Sequence, residues 1–314
     1  MRWPLIRLLP REFHFNFVGL APYAAVFSAI LIVLSGVSFL TKGLNLGIDF
    51  VGGSLIEVRT PGPAPIAELR TTLAAAGGED AKVQGLGDSH GAMLSFRTAE
   101  NVNAVVGATR IQNELAKAFP GIQFKKVEVV GPKVSGELMQ GGFMALGIAL
   151  ALMLAYIWFR FQLQFGLGAV VAVFHDVLLT LGVLSVTGFE FSMTSIAALL
   201  TVIGYSMNEK VITFDRLREN LRKYKTTPLA EVINKSENER LSRTLITGST
   251  AILALSGALV LGGVVLRPLV VTMVFGIIIG TYSSIYVALP IILLWGVKRG
   301  DEPAEPLKPA NARP

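Results

Sequence analysis

The chain has 314 residues, of which 52% are hydrophobic and 16% charged, with a mean hydropathy of +0.58. A soluble domain carries about 25% charged residues, so this composition specifies an integral membrane protein with apolar sequence for several spans. The net charge of +6 would suit a nucleic-acid partner. The basic residues, however, cluster at the N-terminus, in one internal segment and in the C-terminal tail, as membrane orientation demands. With no cysteine there is no disulfide, thiolate catalysis or Cys-ligated metal.

The first predicted element is an apolar run over 20–41, preceded by Arg2, Arg7 and Arg11. It is long enough to cross a bilayer, and no small-residue cleavage signal follows Leu40, so it reads as a retained helix after a short cytoplasmic N-terminus, 1–19. From 42 to 134 the chain is polar, mixed in charge and rich in turns. An extended stretch lies in 45–59 and a helical repeat of Ile66, Leu69 and Leu73 in 65–76. Two short strands, 81–86 and 92–97, follow. A helix over 101–119 and alternation over 124–130 close the segment. The order β-α-β-β-α-β is that of a ferredoxin-like α+β domain.

Five further spans follow at 137–158, 165–187, 192–213, 243–263 and 268–296, making six with the first. The segment 215–242 reads as a cytoplasmic loop carrying Arg216, Arg218, Arg222, Lys223, Lys225, Lys235 and Arg240. The proline-rich tail, 297–314, reads as disordered. The bias of arginine and lysine toward these segments puts both termini in the cytoplasm and the α+β domain outside.

Within the spans, ionisable residues are costly and mark function or helix-to-helix clamps. Glu209 lies about five residues inside the fourth span, roughly 7–8 Å along a helix. A carboxylate at that depth, balanced between burial and a nearby cation, can load and unload a proton near neutral pH. The competing reading is that Glu209 and Lys210 sit at the boundary and snorkel to water. Tyr205 and Thr213 share the Glu209 face at helical spacing. Arg243, at the start of the fifth span, is the expected cation; the alternative is an orientation anchor. Asp176, beside His175, lies deepest. Either it forms an interhelical clamp, with Thr180 one turn on, or it takes part in proton transfer. Gly276-x-x-x-Gly280 permits close helix approach, and Asp49-Phe50-Val51-Gly52-Gly53 carries paired glycines that suit a turn or tight backbone contact. That stretch fails as a phosphate loop, and His14, His90 and His175 are dispersed, so neither hydrolytic nor metal-dependent chemistry is supported.

These motifs, in this order, resemble the SecF family, the smaller subunits of the bacterial SecD–SecF protein-export complex in the RND superfamily. The resemblance rests on Gly47-Ile48-Asp49-Phe50-Val51-Gly52-Gly53, Val130-Gly131-Pro132-Lys133-Val134-Ser135-Gly136-Glu137-Leu138 and His175-Asp176-Val177. It rests equally on the run from Gly204 to Asn220, on Leu241 to Thr247, and on Gly280-Thr281-Tyr282-Ser283-Ser284. It implies six inner-membrane spans with a periplasmic ferredoxin-like domain between the first two. It also implies a SecD-like partner, the SecYEG channel, exported polypeptides and membrane lipids as contacts, and no nucleic acid. The implied role is proton-driven promotion of protein export, with no covalent reaction, cofactor or metal. In the family's pattern the proton-linked acid follows the asparagine of Gly-Tyr-Ser-x-Asn, here Asn208 then Glu209, and its basic partner stands in Ser-Arg-Thr, here Arg243. The sequence departs from that pattern in having Glu209 and Lys210 where the family has aspartate and a small hydroxyl residue. The rival readings are an RND-type exporter of small molecules or lipids, and a structural scaffold without its own proton coupling.

Overall fold

The computed structural model describes residues 13–86, 89–98 and 103–297, and of 264 and 265 the backbone alone. The expected tail beyond 297 and the start of the N-terminal segment lie outside the described residues.

Helix α1, Phe17–Lys42, opens with Asn16, whose side chain accepts from the Gly19 N–H. It leads to a two-residue strand β1, Asn45–Leu46, and a single helical turn α2, Ile48–Val51. This turn interrupts what the sequence suggested as one extended stretch. The α+β domain follows as β2 (Gly53–Arg59), α3 (Ile66–Ala75), β3 (Glu79–Gly85), β4 (Gly91–Arg97), α4 (Ala104–Ala118) and β5 (Gln123–Val130). Its four strands pair antiparallel in the order β3-β4-β2-β5. Both helices cover one face, burying Ile56, Val58, Leu94 and Phe96 against Leu69, Leu73, Ile111 and Leu115.

The remaining chain is almost wholly helical: α5 (Pro132–Arg160), α6 (Leu163–Thr187), a two-residue strand β6 (Glu190–Phe191), α7 (Met193–Lys223), α8 (Leu229–Leu261) and α9 (Gly263–Ser283). A π-helical segment, Ser284–Ala288, joins α9 to α10, Leu289–Trp295. Five helices among the described residues are long and apolar enough to cross a membrane: Phe17–Lys42, Pro132–Arg160, Leu163–Thr187, Leu229–Leu261 and Leu266–Trp295. Helix α7 packs among them, but its charged residues break the apolar run. The expected loop over 215–242 is corrected. α7 continues to Lys223 and α8 begins at Leu229, so only 224–228 turns the chain. Polar pairs zip the two helices together there, Arg216 to Glu239 at 2.8 Å and Asn220 to Ser236 at 3.0 Å.

The α+β domain is fastened to the bundle through the turn between α6 and α7. Strand β1 pairs parallel with β6, placing Asn45 opposite Glu190 and Leu46 opposite Phe191. Phe50 stacks on Phe191 with ring centroids 5.4 Å apart. The Met193 N–H donates to the Asp49 carboxylate at 2.8 Å, so a negative group caps the start of a 31-residue helix, where the peptide dipole favours it. The two glycines after Asp49 do backbone work. Gly52 and Gly53 have φ of +72° and +135°, and a Cβ on Gly53 would meet the Phe96 carbonyl oxygen at 2.6 Å. Only glycine adopts that conformation beside that neighbour without strain.

Candidate functional site

The bundle centre is built on the seam between α7 and α9. A Cβ on Gly276 would collide with Val202, and one on Gly280 would lie 3.0 Å from Ser206 Cβ, so the two backbones run close together. Close approach brings the side chains on both flanks of the seam into contact with α6 on one side and α8 on the other. Successive residues on a helix point about 100° apart, so adjacent positions on α7 and α9 serve different flanks.

On the α6 flank, Lys210 reaches Asp176 with Nζ to Oδ2 at 2.9 Å. The same carboxylate oxygen accepts from the Ser206 and Ser283 hydroxyls, and Lys210 also donates to Ser283 at 3.0 Å. The other carboxylate oxygen lies 3.0 Å from His175 Nδ1. The far ring nitrogen of His175 is 3.2 Å from Ser28 of α1, which in turn is 2.9 Å from the Tyr282 hydroxyl. Asp176 is thus fully hydrogen-bonded, as a carboxylate removed from water must be.

On the α8 flank, Arg240 lies between two carboxylates. Its Nε and Nη2 engage Glu237 at 2.6 to 2.8 Å, and its Nη1 meets Glu209 Oε2 at 3.2 Å. Thr244, one turn along α8, accepts from Arg240 and donates to Glu209 at 3.1 Å, while Ser284 accepts from Nη2 at 3.0 Å. Ser283 and Ser284 therefore divide between the two clusters just as Lys210 and Glu209 do. They stand where α9 passes into the π-helical segment, a local widening that is frequent at functional sites.

The expected pairing of Glu209 with Arg243 is corrected: Arg240 occupies that position, and Arg243 is exposed on the outer face of α8. Asn208 is likewise exposed. Thr213 turns its hydroxyl to the Glu209 backbone carbonyl, and Thr180 to that of Asp176, so neither supports the carboxylate itself. Tyr205 stands one turn before Glu209, half-buried. The snorkelling alternative for Lys210 and Glu209 does not describe this structure, since they are 0% and 1% exposed.

Sequence reasoning missed Arg240, Glu237, Ser206, Ser283 and Ser284. The signal was present. Ser206 and Lys210 are four apart, and Glu237, Arg240 and Thr244 follow helical spacing. Treating 215–242 as a loop removed the helix that would have aligned the second set. Among the described residues no group of three or more His, Asp or Glu side chains could hold a metal ion.

With this geometry in hand, the sequence relationships are informative. Residues 110–298 match the family described as protein export membrane protein SecD/SecF, C-terminal, and residues 37–60 match the SecD/SecF GG motif, which contains Gly52 and Gly53. The chain is 43% identical over 303 residues to the protein translocase subunit SecF of Cereibacter sphaeroides, covering 94% of each. It is 39% identical to the SecF subunit of Rickettsia bellii, covering 94% of this chain and 97% of that one. Among solved structures, SecDF from Thermus thermophilus, a translocon-associated membrane protein, superposes with a TM-score of 0.83 at 34% identity. The match covers 94% of this chain but spans 40% of the SecDF chain. SecDF in its super-membrane-facing form gives a TM-score of 0.69 at 35% identity. The chain belongs to the SecF branch of the SecD/SecF family of protein-export membrane proteins.

Proposed function

We propose that this protein is an accessory subunit of the Sec translocase that works with a SecD subunit beside the SecYEG channel, coupling inward proton movement to motion of its α+β domain. On this reading α7 is the sixth span, the domain is ferredoxin-like and periplasmic, both termini are cytoplasmic, and the protein performs no covalent reaction. The antiparallel strand order β3-β4-β2-β5 supports the domain assignment, and the packing of α7 between α6, α8 and α9 supports the span count.

The carrying observation is Glu209, midway along α7 and 1% exposed, held by Arg240 and Thr244. Lys210 strengthens the case. Its ammonium is engaged by Asp176 on the other flank, which leaves Glu209 to Arg240. Asp176, His175 and Lys210 then serve as the polar clamp that fixes α6 to the α7–α9 seam, with Asp176 a second proton-linked candidate. A charge falling through about 150 mV releases roughly 3.5 kcal/mol, enough to bias a two-state domain movement by more than about a hundredfold.

The test is gradient-driven export in vesicles containing this protein with its SecD partner and the channel. Glu209→Gln should abolish the gradient-stimulated part of export and the accompanying proton flux while leaving co-purification with SecD intact. Wild-type stimulation in that variant would rule the proton role out and favour a scaffold.

A further inference from the structure

Among the described residues, five charged side chains lie in the bundle with 4% or less of their surface exposed. Asp176 and Lys210 match one to one. On the other flank a single guanidinium, Arg240, faces two carboxylates, Glu237 and Glu209. From the π-helical segment, Tyr286 also faces Glu237, and it carries no positive charge to offset the second acid. Three acids against two cations leave the set one positive charge short. An uncompensated charge buried among packed helices is strongly disfavoured, and a bound proton removes it.

The arrangement is also lopsided. Arg240 grips Glu237 through two nitrogens, the bidentate geometry of a full ion pair. It offers Glu209 one longer contact, shared with Thr244.

We propose that Glu237 and Glu209 hold one proton between them, with Arg240 as the pivot that pairs with whichever acid is ionised. In the state described here the charge sits on Glu237 and the proton on Glu209. In the other state the O–H bond is lost from Glu209 and one is formed on Glu237, while the guanidinium keeps its charge and turns to Glu209. Glu237 thereby joins Glu209 as a proton-carrying residue, an inference that rests on the proton-coupled reading above and adds to it the device that moves the proton's charge between α7 and α8.

The test is infrared spectroscopy of the full chain in lipid nanodiscs at neutral pH, reading the C=O stretch of protonated carboxyl groups as differences from wild type. Glu237→Gln and Glu209→Gln should each remove one protonated carboxyl, because either leaves acids and cations in balance. Arg240→Gln should add one. Both glutamine variants are isosteric, so the comparison survives if Arg240→Gln fails to fold. A Glu237→Gln spectrum identical to wild type overturns the proposal, as does a proton found on the His175 imidazole by nitrogen NMR instead. A wild type that holds this shared proton yet gives no gradient-stimulated export would sink the functional reading and leave the shared proton standing.

Discussion

Lys210 Nζ lies 2.9 Å from Asp176 Oδ2, with both side chains sealed from solvent, although the residue before Lys210 pairs with a different helix. One helical step of about 100° is enough to commit neighbouring charges to opposite flanks of α7. Two adjacent ionisable residues here make their ion pairs with different helices.

That pair should behave as a coupled unit. Removing one partner strands the other in a low-dielectric site, at about 3–5 kcal/mol. Lys210→Met and Asp176→Asn should each lower the unfolding temperature of the detergent-solubilised protein markedly, and the double variant should cost clearly less than their sum. Additive losses would mean the two groups do not depend on each other.

The two arginines of α8 should separate in function. Arg240→Gln should abolish gradient-stimulated export, and Arg240→Lys should recover it only in part, since an ammonium cannot fork between Glu237 and Glu209. Arg243→Gln, on the exposed face, should change stability by no more than about 0.5 kcal/mol and leave export near wild type. Equal loss in the two positions would show that export runs through an arrangement other than this one.

Close packing of α7 and α9 makes a third point testable. Gly280→Ala places a methyl 3.0 Å from Ser206 Cβ, and Gly276→Val drives a branched chain into Val202. Each should cost about 1–3 kcal/mol through overpacking. Both clusters draw on the same seam, so export should fall more than stability alone would cause. Unfolding curves and export rates measured on the same preparations would separate the two effects.

Glu190, in the turn that receives the α+β domain, supplies a pH dependence. Burial holds its carboxyl above the ordinary glutamate range, and the nearby Asp49 adds to this, against partial relief from the Ile48 N–H and Lys82. A carboxyl raised in the folded state binds its proton more tightly than in the unfolded chain. Stability is therefore greatest below the ordinary carboxylate value and declines as pH rises toward the shifted one. Glu190→Gln should flatten that decline in melting temperature between acidic and neutral pH. An unchanged slope would remove Glu190 as its source.

How much of this was readable beforehand depended on what each feature needs in order to form. The helices 163–187 and 17–42 and the strand 91–97 answer to local periodicity, against the expected 165–187, 20–41 and 92–97. The charged stretch 234–240 was misread because a hydropathy criterion ends a membrane helix at its last apolar residue, whereas α8 begins at Leu229 and carries its charges inward against α7. The break at α2 was missed because a four-residue turn has no period of its own. It exists because Asp49 is drawn to the start of α7 and Phe50 to Phe191.

The amino-acid order alone determined that this chain crosses membranes, carries an α+β insertion and places carboxylates within its apolar runs, because apolar length, alternation and isolated charge are properties of neighbouring residues. It could not choose Arg240 over Arg243, or send Lys210 to Asp176. Those choices follow from how far α7 and α9 approach and how each is rotated, and that is decided only when distant helices pack together.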